Sequence, residues 1–410
     1  MSNAEVKSRA ASISIAEALG GRHNSLGFLR LVLATLVIFD HAFPLGGFGE
    51  DILWGHTGGQ ASFGTLAVGG FFAISGYLIA KSGMSADVMQ FLWRRVLRIF
   101  PAFWLVLIVT ALIVGPIIWV VGGDALRSYF TLAPTGPVNY FTANWTLQIG
   151  SYALYDIFAD TTPYGHLVHA SVMNGSLWTL YYEFLCYLMI AVAVVFGVLK
   201  NARILVPIFT GFLLIAQVAN LVAPEQLGKV APILTDSQFL FLTLTFLVGS
   251  CIAVYSRQVP FDDRLGIFAG VVFIATLRFG GFQTIGVVAG VYFILYLAAR
   301  LPRPFQRIGA KNDYSYGVYI YGFLVQQILA FFGVYKLGYF PFVIAAVIIS
   351  FGCAWLSWHL VEKRAMDLKG WGPGRGIQYW YDRVVAARRA RASRQTAAGA
   401  ERAEIVEGEQ

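Results

Sequence analysis

The sequence predicts an all-α polytopic membrane protein, a bundle of about ten transmembrane helices with both termini cytoplasmic. Three observations lead there. Hydrophobic residues make up 57% of the 410 positions and charged residues only 13%, about half the charge fraction of a soluble globule. The apolar residues are gathered into stretches of bilayer-crossing length, cut by charges and Gly/Pro clusters. Lysine and arginine then fall almost entirely on one side of the topology those stretches define.

In chain order, residues 1–26 form a polar N-terminal segment. It has no apolar core and no small-residue cleavage site, so the first span is expected to be retained. Spans follow near 27–44, 64–80, 99–121, 177–199, 203–222, 237–256, 265–280, 282–300, 314–333 and 341–361. Residues 27–362 therefore make one membrane domain, and 363–410 a cytoplasmic tail. With the N-terminus inside, the outward loops hold only Arg127, Lys229 and Lys336 of the 30 Lys and Arg residues. Arg30 and Arg278 lie within spans, and the other 25 face inward. The net charge of +8 thus expresses topology rather than nucleic-acid binding.

The outward loop over 122–176 is rich in Gly, Pro, Tyr, Thr and Asn and contains Trp145, His166 and His169. It is either a binding loop or a packed lid. The tail stretch Arg383–Arg394 is basic and Ala-rich, ahead of an acidic end. It reads as a helix lying on anionic lipid, followed by disorder. Cys186, Cys251 and Cys353 each fall in an apolar run and read as small buried hydrophobes. No Cys/His spacing suits a metal. His56, His166 and His169 read as surface residues.

The polar residues inside the spans carry the functional signal. Arg30 and His41 are eleven residues apart in the first span, close to three helical turns. They project from nearly the same face, roughly 16 Å apart along the axis. Charged groups at that depth mark reaction centres or polar pathways. His41 can accept a proton near neutral pH, or it can simply bond a neighbouring helix. Glu183, about two turns into the fourth span, can orient His41 as a triad carboxylate does. It can equally bond an acceptor, or pair with Arg30 or Arg278. Arg94, Arg95 and Arg98 cluster at the inner end of the third span, with Arg94 and Arg98 on one face. They suit phosphate or ordinary inner-side charge. Arg30 suits a phosphate or a developing oxyanion, or headgroup snorkelling. Trp178 suits a sugar ring or an interfacial belt.

Five ordered patterns carry a resemblance. They are Arg30 with His41; Gly70-Phe-Phe-Ala-Ile-Ser-Gly-Tyr-Leu-Ile79; Phe91-Leu-Trp-Arg-Arg-Val-Leu-Arg-Ile-Phe-Pro101; Ser176-Leu-Trp-Thr-Leu-Tyr-Tyr-Glu183; and Tyr314-Ser-Tyr-Gly-Val-Tyr-Ile-Tyr321 followed by His359-Leu-Val-Glu362. Together they resemble the acyltransferase family 3 membrane proteins, which O-acylate carbohydrates. Relatives often carry a His just after the Tyr-rich run, where this chain has Gly322.

The resemblance implies an O-acetyltransferase of the bacterial inner membrane. Its donor would be acetyl-CoA or another acyl-CoA, and its acceptor a polysaccharide or a lipid-linked glycan. It implies His41, Glu183 and Arg30 as catalytic, Arg94, Arg95, Arg98 and Arg30 as the donor site, and Trp178, Tyr182 and Ser75 as substrate contacts. Ser75, between Gly70 and Gly76, also suits close helix packing. Membrane lipid is an expected partner, and neither nucleic acid nor metal is. A multi-span transporter of an anionic or glycan-related substrate is the second reading.

Overall fold

The computed structural model describes residues 13–21, 23–131 and 134–408, with side chains to residue 395. The expectations for residues 1–12 and 22 lie outside it. Among the described residues all regular structure is helical, apart from one isolated bridge between Ser14 and Pro260. The principal helices are α1 (Leu26–Gly46), α2 (Phe63–Ser85), α3 (Val88–Val109), α4 (Thr179–Val195), α5 (Leu205–Val222), α6 (Ser237–Val254), α7 (Asp263–Phe279), α8 (Val287–Arg300), α9 (Ser315–Phe331), α10 (Tyr339–Ser357) and α11 (Ile377–Gly408).

Seven helical stretches are long and apolar enough to cross a membrane. They coincide with seven of the ten expected spans. The expected fourth, seventh and ninth spans coincide with α4, α7 and α9, each of 17 residues. That length gives about 25 Å of helix, slightly under the hydrocarbon thickness. Large apolar side chains such as Ile113, Phe212, Ile215, Phe268, Ile344 and Ile348 are exposed on the perimeter, as a lipid-facing surface requires. The chain is a multi-pass membrane protein.

Local chemistry sets the helix ends. Gly47 stops α1 in the left-handed conformation, φ 70°, and its N–H bonds the Phe43 carbonyl. Ser62 caps α2 by accepting from Thr65 N–H at 3.1 Å, and Asp87 caps α3 by accepting from Gln90 N–H at 3.0 Å. The Asp87 cap starts α3 at Val88, about three turns before the expected 99. Arg94, Arg95 and Arg98 therefore lie well inside a continuous helix. α3 extends to Val121 through a π-helical turn at Thr110–Val114. That turn leaves the Ala111 carbonyl to the Tyr129 hydroxyl, at 2.5 Å.

α6 is enclosed on most sides, packed on α2, α5, α8 and α4. α1 lies between α2 and α9, and α9 between α1 and α10. The close approach expected at Ser75–Gly76 is found. A Cβ at Gly76 would lie 1.9 Å from the Phe246 carbonyl oxygen, and Ser250 donates to the Gly76 carbonyl at 3.1 Å. Cys186 is buried, Cys251 and Cys353 are half-buried, and all three are free.

The loop over 122–176 packs on itself rather than hanging open. Tyr129, Tyr140, Leu147, Leu154 and Phe158 are buried, and Tyr155 donates to the Tyr129 carbonyl at 2.7 Å. His56, His166 and His169 are exposed, as expected. Residues 13–19 tuck under the α6–α7 link, where Ile15 N–H bonds the Val259 carbonyl at 3.0 Å. The tail start returns to the same end of the bundle, with Ile377 N–H on Asp87 at 3.2 Å. α11 is helical from Ile377 to Gly408.

Candidate active site

Two polar centres interrupt the apolar bundle, one toward each end. α1 connects them, because its first turns carry Arg30 and its last turns carry His41.

At the histidine end, His41 lines a cavity of about 170 Å³ with Asp40, Ser176, Trp178, Thr179 and Tyr319. Its imidazole meets the edge of Phe323 on α9, ring centroids 5.2 Å apart. His41 Nδ1 and Asp40 Oδ1 are both buried without a hydrogen-bond partner. Buried polar atoms are nearly always paired, so two orphans beside one cavity point to a ligand that completes them. Asp40 lies over α2, where a Cβ at Gly64 would sit 2.5 Å from its Oδ2. Thr179 and Tyr319 share a short hydroxyl–hydroxyl bond, and Tyr319 donates to the Ser176 carbonyl at 2.7 Å. Asn174 fastens the loop end to α9 by donating to the Ile320 carbonyl at 2.8 Å. The long loop thus reaches this cavity through Ser176 and Trp178, placed where α4 begins.

One turn along α4 from Thr179, Glu183 accepts from the Ser75 hydroxyl at 3.1 Å and from the Tyr187 hydroxyl at 2.5 Å. The expected bond between Glu183 and His41 is not formed, and neither is an ion pair with Arg30 or Arg278. The reason is rotational. α4 turns Glu183 toward α2 and its own next turn, and the Arg95 guanidinium lies 5.9 Å over the Tyr187 ring. Ser75, Glu183, Tyr187 and Arg95 form one partly buried polar set. Tyr182 turns the other way and donates to Asp236 at 2.9 Å. It braces the start of α6 and is not among the residues lining the His41 cavity. An oriented-imidazole role for Glu183 would make Glu183→Gln inactive. The bonds found instead predict that Glu183→Gln, still an acceptor, retains more transfer activity than Glu183→Ala. Parallel rate measurements in membranes check this, and equal loss in both variants would contradict it.

At the arginine end, Asp313, two residues ahead of α9, is the hub. Its Oδ2 accepts from Arg30 at 2.6 Å and from Arg98 at 2.7 Å. Arg98 also reaches Glu362 at 3.5 Å, and Glu362 accepts from the Ser357 hydroxyl at 3.0 Å. The Arg98 guanidinium lies near Tyr316 and Trp358, at 5.5 and 5.8 Å. Burial alone would raise the Asp313 carboxyl, but the Arg30 and Arg98 guanidiniums and Ser315 hold it down to about 2. The three arginines are therefore not one open cluster. Arg98 is consumed by carboxylates and Arg30 is paired rather than snorkelling. Arg94 and Arg95 each have a buried Nε without a partner. Asp313 and Tyr187, which the sequence reading does not single out, join these two polar sets. An acid directly before the Tyr314 pattern, opposite an intramembrane Arg, was the available signal for Asp313.

The model of an acyltransferase domain, the acyltransferase 3 family, matches residues 23–359. The chain belongs to the acyltransferase 3 family. It is accordingly a membrane acyltransferase, and both polar centres fall inside or at the edge of the matched domain. An "O-acetyl transferase" of Shigella phage Sf6 is 29% identical over 350 residues, 84% of this chain and 96% of that protein. "Nodulation protein 10" of Rhizobium leguminosarum bv. viciae is 29% identical over 378 residues, 85% of this chain and 95% of that protein. No solved structure matches the chain significantly. Family membership accounts for the ordered patterns, which the transporter reading leaves without a role. The acyltransferase's departure at Gly322 has a packing consequence, since a Cβ there would lie 2.9 Å from Ile38 on α1. Glycine lets α1 and α9 approach at the level between the two centres.

Proposed function

We propose that this acyltransferase moves an acetyl group from cytoplasmic acetyl-CoA to a hydroxyl of an exported carbohydrate, a polysaccharide or a lipid-linked glycan. The setting is the bacterial inner membrane, with ten spans and both termini inside. The arginine end then faces the cytoplasm and the histidine end the outer side. The observation that carries the reading is His41, an imidazole whose Nδ1 is buried and unpartnered beside a polar cavity. The phage relative's name, an O-acetyl transferase, supports the acetyl group.

In this mechanism an acceptor hydroxyl enters the His41 cavity, with Trp178 against the sugar ring. His41 takes the hydroxyl proton as oxygen attacks the thioester carbonyl. The tetrahedral adduct collapses, the carbon–sulfur bond breaks, and the imidazolium returns its proton to the departing thiolate. An ester and free CoA result. Arg94, Arg95, Arg98 and Arg30 form the cationic wall the donor arm passes. Arg95, whose guanidinium lies 5.9 Å over the Tyr187 ring, is the hydrogen-bond donor for the developing carbonyl charge. Ser75 and Glu183 hold Tyr187 in place.

The test is proton NMR of surface-glycan O-acetyl content in a deletion strain with and without the complementing gene, alongside label transfer from acetyl-CoA in inverted membranes. Loss on deletion and restoration by the gene are expected. Unchanged O-acetyl content on deletion would move the acceptor to a lipid or small molecule. Substrate flux without acetyl-CoA would favour a transporter.

A further inference from the structure

The connector between α8 and α9 carries Arg303, Arg307 and Lys311 at intervals of four residues. Its one short helical turn, Arg303–Gln306, is followed by Gly309 in the left-handed conformation, φ 75°. Gly309 crosses the start of α1 so closely that a Cβ at Gly27 would lie 2.9 Å from the Gly309 Cα. Beside this crossing lies a recess of about 550 Å³, lined by Gly27, Arg307, Lys311, Asp313 and Ser315. A second hollow of about 700 Å³ shares Arg307 and Ala310 with it and adds His23 and Arg303. The two make one cationic vestibule whose inner wall is Asp313.

The local carboxylate is already spent, because Asp313 is held by Arg30 and Arg98. Among the described residues, Arg303, Arg307 and Lys311 have no ion pair or side-chain hydrogen bond. Three unneutralised cations around a recess of ligand size select a multiply charged anion. The recess also opens at the right place. Arg30, bonded to its Asp313 wall, sits roughly 16 Å along α1 from His41, the order of length of an extended pantetheine arm. Arg98 and Arg30, by contrast, already hold carboxylates and have less to offer a phosphate.

We propose that Arg303, Arg307 and Lys311 bind the nucleotide phosphates of the acyl-CoA donor, the adenosine 3′-phosphate included, and so place its arm at the Arg30–Asp313 threshold. This rests on the acetyl-CoA reading above. The shared chemistry is phosphate, which a lipid headgroup also offers, but the cations border a recess closed on one side by α1 and the start of α9 rather than the lipid perimeter alone.

The experiment measures acetyl-CoA saturation of the full-length protein in nanodiscs, for wild type and for the triple variant Arg303→Gln, Arg307→Gln, Lys311→Gln. Each is assayed in zwitterionic and in anionic lipid, and with acetyl-3′-dephospho-CoA as a second donor. Unchanged melting temperature serves as the folding control. The expected result is a KM for acetyl-CoA raised at least about tenfold, with kcat within about twofold in both lipids. Wild type is expected to discriminate against the dephospho donor, and the variant to lose that discrimination. An unchanged KM in the variant, with wild type saturable by acetyl-CoA, would overturn the assignment. A KM effect confined to anionic lipid would also overturn it, by assigning the cations to headgroups. Wild type without any acetyl-CoA-dependent transfer would overturn the donor reading itself, a distinguishable failure.

Discussion

Replacing His41 with alanine is expected to lower acyl transfer by about two to four orders of magnitude, the usual contribution of a positioned general base. The protein should still reach the membrane at wild-type level. His41 Nδ1 has no internal hydrogen bond to lose, and the ring's packing contact is the Phe323 edge. His41→Gln keeps a polar side chain of similar reach but cannot carry the proton, so it should be as inactive as the alanine variant. Label transfer from acetyl-CoA in membranes, normalised to protein by immunoblot, measures both. Full transfer by either variant would remove His41 as the base and leave the neighbouring Asp40 as the carboxylate to examine.

Replacing Asp313 with alanine should act on stability instead. It strips the counter-ion from Arg30 and Arg98 together. These pairs are partly buried, with Arg30 25% and Asp313 19% exposed, so removing the shared partner costs at most the about 3–5 kcal/mol of a fully buried pair. Melting of the detergent-solubilised protein should fall by several degrees or more, with lower membrane yield. Combining Asp313→Ala with Arg30→Met should recover part of the loss, since one stranded cation goes with its partner. The pH dependence has a definite sign. The Asp313 carboxyl is held at about 2, below its ordinary value of 3.8, so its contribution is complete above about pH 4. It disappears as pH falls toward 2, where wild type and Asp313→Asn should converge. A melting temperature for Asp313→Ala equal to wild type at neutral pH would show that Arg30 and Arg98 find other partners.

Glu183 and Tyr182 show where sequence reasoning reached its limit. They are adjacent, and the sequence patterns assign both to the reaction. On a helix, neighbours diverge by about 100°, so both could not face His41. Which one turns inward depends on the rotation of α4 against α2 and α6, and no local pattern encodes that angle. The structure sends Glu183 to Ser75 and Tyr187, and Tyr182 to Asp236. Similarly, three arginines within five residues read as one cluster, yet Arg98 is claimed by Asp313 and Glu362 from distant helices.

What the sequence determined by itself is the membrane class, the placement of the apolar helices and the shared face of Arg30 and His41. Each depends on composition or on the fixed helical period. Both of those α1 residues do turn toward α9, Arg30 to Asp313 and His41 to Phe323. Only the tertiary structure decided which polar groups neutralise one another. The Arg30–Asp313 partners lie 283 residues apart in the chain. In a low-dielectric bundle each intramembrane charge must find a partner, and helix packing brings that partner within reach.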